Sequence, residues 1–106
     1  MPFLTYDLSL DLIRALVQPL EAVRRHSAKE AAQLDDAANS VVRNVAEAGG
    51  RFGRDRLHLF AIAYGSLREV RAVLDLAAAK GWLGEEVAAQ AIAYRLGGML
   101  YRLAGR

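Results

Sequence analysis

The chain has 106 residues, 54% of them hydrophobic and 25% charged, with a net charge of +2 and no cysteine. That is one domain, residues 1–106, with material for a single modest core. The missing cysteines exclude disulfides, thiolate chemistry and zinc–thiolate sites.

The opening "MPFLTYDLSLDL" has no basic region and meets Asp7 and Asp11, so it does not read as a signal peptide. The longest stretch free of Asp, Glu, Lys and Arg, Leu57 to Leu67, is far shorter than the roughly 20 apolar residues that span a bilayer. The expectation is a cytoplasmic protein without a membrane partner. Residues 1–53 carry six basic and seven acidic groups and residues 54–106 carry eight and five, an asymmetry too mild to demand a partner. Twelve of the fourteen bases are arginine, which suits phosphate recognition and equally reflects a GC-rich genome.

No strand signal interrupts the chain, and four helical segments are predicted. The first runs from about Asp7 to Arg25, where Leu8, Leu12, Leu16, Leu20 and Val23 form one apolar stripe. Pro19 lacks a backbone donor and clashes with the carbonyl of Ala15, so a kink or break is expected there. The second opens at Ala28, because Ser27 and Glu30 have the spacing of a capping box. Its inner face is Leu34, Ala38, Val41, Val42 and Val45. It should close near Ala48, with Gly49 and Gly50 supplying a left-handed turn.

The third runs from about Arg54 to Lys80 and stops at Gly81. His58, Gly65, Arg68, Glu69, Ala72 and Asp75 share a polar stripe, and the apolar arc opposite spans roughly 160°, wider than the ~100° of a surface helix. Such a helix is either the most buried in its bundle or covered by a second subunit. The fourth runs from about Glu85 to Leu103, with Glu85 and Glu86 placed to suit the dipole at its start and Arg102 at its end. Gly97 and Gly98 inside it each cost about 1 kcal/mol relative to alanine, which suggests an offsetting close contact. Four helices joined by short turns predict an all-α, up-down-up-down four-helix bundle. Phe60, Tyr64, Trp82, Tyr94 and Tyr101 read as packing and interface residues.

Neither His26 nor His58 has a glutamate three residues before it, so the Glu-x-x-His signature of di-iron bundles is missing. Ser66 lies mid-helix, where a hydroxyl ordinarily bonds back to the carbonyl four residues earlier. No catalytic set, metal, cofactor or small-molecule substrate is expected. Residues 44–56, "NVAEAGGRFGRDR", are not a nucleotide-binding loop, since no strand precedes them and the Gly-Lys-Ser/Thr ending is absent. The free amides that open the third helix offer a place for a phosphate, which makes Arg51, Arg54 and Arg56 the candidate polyanion contacts. Against this stands a surface turn with solvated arginines. Glu47 opposes the dipole of its helix end. Its compensation is either an ion pair with Arg51 or Arg43, or hydrogen bonds to the free amides across the turn, and the second is favoured.

The stretch Asn39 to Gly84 resembles the small helical-bundle family of proteins encoded in intervening sequences of bacterial large-subunit ribosomal RNA genes. The fold of that family is similar to the accessory protein of diversity-generating retroelements. The residues that carry the likeness are Ser40, Asn44, Val45, Ala46, Glu47, Gly50, Arg51, Ala63, Gly65, Ser66, Leu67, Glu69, Gly81 and Trp82. Ala48 replaces a family glycine. Asp35 and Asp36 stand where relatives often carry arginines, which weakens a nucleic-acid role. The resemblance implies a homo-oligomer, a pentameric ring in particular, and no enzyme activity. It makes Asn44, Glu47, Gly50, Arg51, Gly65, Ser66 and Glu69 the structural motif. The expected function is a non-enzymatic protein-interaction scaffold, with weak sequence-independent RNA or DNA binding as the alternative.

Overall fold

The computed structural model describes residues 2–84 and 87–105, and every regular element among them is α-helical. There are five helices where four were expected: α1 (Pro2–Ala15), α2 (Val17–His26), α3 (Ala28–Ala48), α4 (Gly53–Ala79) and α5 (Ala88–Leu103). The extra boundary comes from Pro19. With no N–H there, the last turn of α1 tightens, and the Leu16 amide bonds to both Leu12 (3.0 Å) and Ile13 (3.2 Å). The ladder resumes from the Leu20 amide to the Leu16 carbonyl at 2.8 Å. Pro19 is itself buried, so the break lies against the core and not in solvent.

Ser27 caps α3 as its spacing implies, its hydroxyl accepting from the Glu30 amide at 3.1 Å. Only half of the capping box forms. The Ser27 amide is already held by the Val23 carbonyl at 2.8 Å, so one residue ends α2 and starts α3. At the far end, α3 stops at Ala48, but Gly49 keeps right-handed angles, φ −61° and ψ −23°. The left-handed residue of this corner is Gly53, φ +57°, beyond both Gly49 and Gly50, where it was expected. The tight bonds from Gly50 to Glu47 (3.0 Å) and from Arg51 to Ala48 (3.2 Å) explain why: they close the helix without a left-handed step.

The expected end of α4 holds. Gly81, at φ +76°, lets Trp82 donate to the Ala77 carbonyl (2.8 Å) while Gly81 donates to Ala78 (3.0 Å). These are the paired bonds of a Schellman motif, which satisfy carbonyls the helix leaves open. Glu85 and Glu86, expected to open the last helix, lie outside the described residues, and α5 is described from Ala88. The glycines inside α5 have ordinary surroundings. A methyl group at Gly97 would meet Leu67 Cδ2 at 3.5 Å, and one at Gly98 only the Arg102 guanidinium at 3.8 Å, so no close backbone contact among the described residues offsets them.

The helices pack in a ring: α3 on α4, α4 on α5, α5 on α1, and α1 back on α3, with α2 continuing α1 along α3. At about 1.5 Å per residue, the 27 residues of α4 run the length of the molecule, whose long axis is 42 Å. The core lies inside the ring. Leu12, Leu16, Leu34, Val41, Phe60, Leu67, Leu96 and Leu100 are fully buried within it. Among the described residues, eight of the twenty-two buried apolar side chains are alanine, and Phe60 is the one fully buried aromatic ring. Leu20 and Val42, expected inside, are only half-buried, at the rim.

Candidate functional site

The corner between α3 and α4 holds most of the residues the sequence singles out. Glu47 does not reach the amides that open α4. It pairs with Arg51 on its own side of the turn, Oε2 to Nη2 at 3.0 Å, with the two side chains 51% and 50% exposed. The favoured expectation for Glu47 is therefore replaced by its alternative. The reason is local: Arg51 is four residues on, within reach of a side chain at a helix end, while Phe52, extended at φ −133°, carries the chain away to the start of α4.

No side chain caps that start, and Asp55 lies in its first turn, where the helix leaves its first amides without partners of its own. Of the three arginines, Arg54 is exposed and makes no hydrogen bond or ion pair among the described residues. Arg56 is half-buried and turns inward, its guanidinium carbon 5.4 Å from the centre of the Phe60 ring. The three thus do not form one patch. Sequence reasoning missed Phe52, an 86% exposed ring between Arg51 and Arg54. Its signal was present: a large apolar side chain beside glycines in a turn has no core to enter. Gly50 is exposed in the same turn.

The motif residues Ser40, Asn44 and Ser66 meet one turn further along, between α3 and α4. The Ser40 and Ser66 hydroxyls lie 2.8 Å apart. Asn44 donates to the Ser40 carbonyl at 2.8 Å and to its hydroxyl at 3.1 Å. Ser66 thus bonds across to the neighbouring helix instead of back along its own, since a hydroxyl from α3 is in reach. The cluster clamps two helices and carries no base for a nucleophile.

Gly65 and Glu69 belong to neither place. They lie on the outward face of α4, with His58, Arg68, Ala72 and Asp75, all exposed as the polar stripe requires. The same face also exposes Ile62 and Leu76, each at 39%. Between α4 and α5, Tyr64 packs on Tyr101 with ring centres 5.6 Å apart, and Arg71 lies over Tyr94 at 5.4 Å. Gln90 donates to Asp75 at 2.7 Å.

At the other end, Trp82 stacks on His26, ring centres 5.3 Å apart and planes 1° from parallel, and the Lys80 ammonium lies 4.9 Å from the Trp82 ring centre. An open groove of about 820 Å³ runs beside it, lined by Arg14, Gln18, Arg25, Trp82 and Val87. His58, on the outward face of α4, is far along the chain from this stack. Among the described residues no three His, Asp or Glu side chains gather as a metal site would require. No described helix is long and apolar enough to cross a membrane.

The model of one family, the 23S rRNA-intervening sequence proteins, matches residues 4–101. The chain belongs to that family. The match takes in α1 and most of α5 as well as the motif on α3 and α4, so the family likeness covers the whole ring of helices. A solved structure from Bacteroides thetaiotaomicron, described as a protein with unknown function from the S23 ribosomal protein family, has the same fold, with a TM-score of 0.87. The two chains are 17% identical over 96% of this chain and 99% of that one. No curated protein matches the chain.

Proposed function

We propose that this family member is a non-enzymatic, homo-oligomeric scaffold that presents a helical surface to other proteins. Its α1 and α2 act as the two halves of one kinked rod, giving a bundle of four rods. The observation that carries the reading is the outward face of α4. Ile62, Gly65, Ala72 and Leu76 stand open to solvent in line on the longest helix, beside the exposed charges Arg68, Glu69 and Asp75, a mixture of apolar and polar side chains that suits a protein contact. The ring of five implied by the family resemblance gives the mass to look for, five copies of the 11.6 kDa chain. Light scattering and sedimentation at micromolar concentration test it; a monomer would overturn it.

A second reading is weak, sequence-independent RNA or DNA binding. It is favoured by one place, the uncapped start of α4, where Arg54 stands unpaired next to the exposed ring of Phe52. Arginine with an exposed aromatic suits a nucleic-acid strand, whose phosphates and bases need a cation and a stacking face. Replacing Arg51, Arg54 and Arg56 together by alanine should then lower both the affinity and its dependence on salt, with the bundle still folded. A wild-type chain that ignores nucleic acid at low salt would leave the scaffold reading alone.

A further inference from the structure

Two of the exposed helix faces are built alike. On α4, Gly65, Glu69, Ala72 and Leu76 are exposed, and on α5, Ala91, Tyr94, Gly98 and Tyr101. Both sets step by three and four residues, the spacing at which one helix lines a contact with another. In each stripe the large and small side chains separate into two columns. On α4, Glu69 and Leu76 form one column and Gly65 and Ala72 the other. On α5, Tyr94 and Tyr101 form one, and Ala91 and Gly98 the other. The two tyrosines remain 71% and 48% exposed.

We propose that the α4 stripe of each copy packs antiparallel on the α5 stripe of a second copy, head to tail, so that the copies follow one another round a closed ring. The inference rests on the homo-oligomer reading and adds to it the two faces, the direction and the register.

Size selects the direction. With Glu69 level with the second copy's Gly98, Leu76 falls level with Ala91. Ala72 and Gly65 then lie within one residue of the levels of Tyr94 and Tyr101. In the antiparallel pair the large column of α4 lies on the small column of α5, and the tyrosines lie on Gly65 and Ala72, so each helix fills the other's grooves. A parallel pair exchanges the sides. Glu69 and Leu76 would then crowd the tyrosines, and the two small columns would face each other across a gap. Gly98, where an added methyl group would meet only the Arg102 guanidinium of its own chain, receives its neighbour from outside.

Charge agrees with size. Glu69 and Arg95 are exposed and make no ion pair among the described residues. Arg95 borders the column of Ala91 and Gly98, the side on which Glu69 arrives, and lies about 4 Å from it along the axis. Because every α4 stripe meets an α5 stripe, no Glu69 faces another.

The same contact closes on itself. α4 and α5 are neighbours in the ring of rods, and rods at adjacent corners of a bundle face outward at roughly a right angle or slightly more. Each contact therefore turns the next copy by about a quarter of a turn or slightly less, which closes after about four or five copies. Within one chain the two helices are level at Asp75 with Gln90 and at Tyr64 with Tyr101. The register between copies differs from this by only one or two residues, about 2–3 Å. Copies thus follow one another with little rise, as a ring requires and a filament does not.

The chain has no cysteine, so introduced thiols are unique. Leu76→Cys and Ala91→Cys chains are oxidised separately, as a mixture, and with both substitutions in one chain. The expected result is no covalent dimer from either single variant, a dimer from the mixture, and from the double variant a ladder that runs past the dimer. Dimers from one single variant would show like faces meeting and overturn the proposal. A double variant that stops at the dimer would show a two-fold contact and overturn it as well. No cross-link in any sample from an oligomeric protein would overturn it while leaving the oligomer reading intact. A monomeric wild type would remove both.

A charge exchange supplies a second measurement that leaves the core untouched. Glu69→Arg and Arg95→Glu each weaken association by about tenfold, and the chain carrying both returns to within about threefold of wild type. Circular dichroism checks that all three are folded. Equal losses in the single and double variants would overturn the pairing of these two residues and with it the register.

Discussion

The Glu47–Arg51 pair illustrates how little an exposed ion pair contributes. Each partner is half open to water, and pairs four residues apart on a helix contribute about 0.3–0.5 kcal/mol. Glu47→Ala should therefore lower stability by no more than about 0.5 kcal/mol, measured by urea denaturation. A loss near 2 kcal/mol would mean that Glu47 does reach the α4 amides. The Ser40–Ser66 contact is different, because it is partly buried and spans two helices. Ser66→Ala should cost about 1 kcal/mol, the net value of one hydrogen bond with its partner left behind. A cycle of Ser40→Ala, Ser66→Ala and the double variant should show a coupling of at least about 0.5 kcal/mol. Strict additivity would mean that the two hydroxyls meet without depending on each other.

At the scale of elements, the α2–α3 junction turns on a single residue. Ser27 gives its hydroxyl to the start of α3 and its amide to the end of α2. Ser27→Ala removes only the first of these, so the expected loss is about 1 kcal/mol, and Ser27→Gly should cost a few tenths. Thermal unfolding measures both variants; a Ser27→Ala loss too small to detect would show that the hydroxyl is not what caps α3. Such ends were legible in the sequence because a cap is a short-range event. Ser27 with Glu30 fixed where α3 begins, Pro19 fixed where the first rod breaks, and Gly81 fixed where α4 stops. The corner after α3 was legible in place but not in detail. Gly49, Gly50 and Gly53 all tolerate left-handed angles, and which one adopts them depends on how α4 docks. The same limit applied to Ser66, whose partner is 26 residues away; the Arg56–Phe60 contact, four residues apart on α4, is by contrast local. The Gly97–Gly98 pair shows the converse: the close contact expected to offset these glycines has no counterpart among the described residues.

For the whole molecule, the alanine-rich core sets how much stability a single chain can hold. Among the described residues, eight of the twenty-two buried apolar side chains are a single methyl group, that of alanine. Each removes little apolar area from water, at about 25 cal/mol per Å², although an alanine gives up no rotamer freedom when buried. Small side chains let the rods approach closely, but they leave a fold whose cohesion rises slowly with size. A chain built this way gains proportionally more from any surface that a neighbour covers. In the proposed homo-oligomer the melting point rises with the logarithm of the protein concentration. Raising the protein from ~1 to ~100 μM should shift the melting temperature upward by several degrees, since mass action favours the folded assembly over free unfolded chains. Differential scanning fluorimetry across that range reads the effect directly, and a flat response would place all of the stability inside one bundle. For such a protein, the amount of it present in a cell is itself a determinant of whether it is folded.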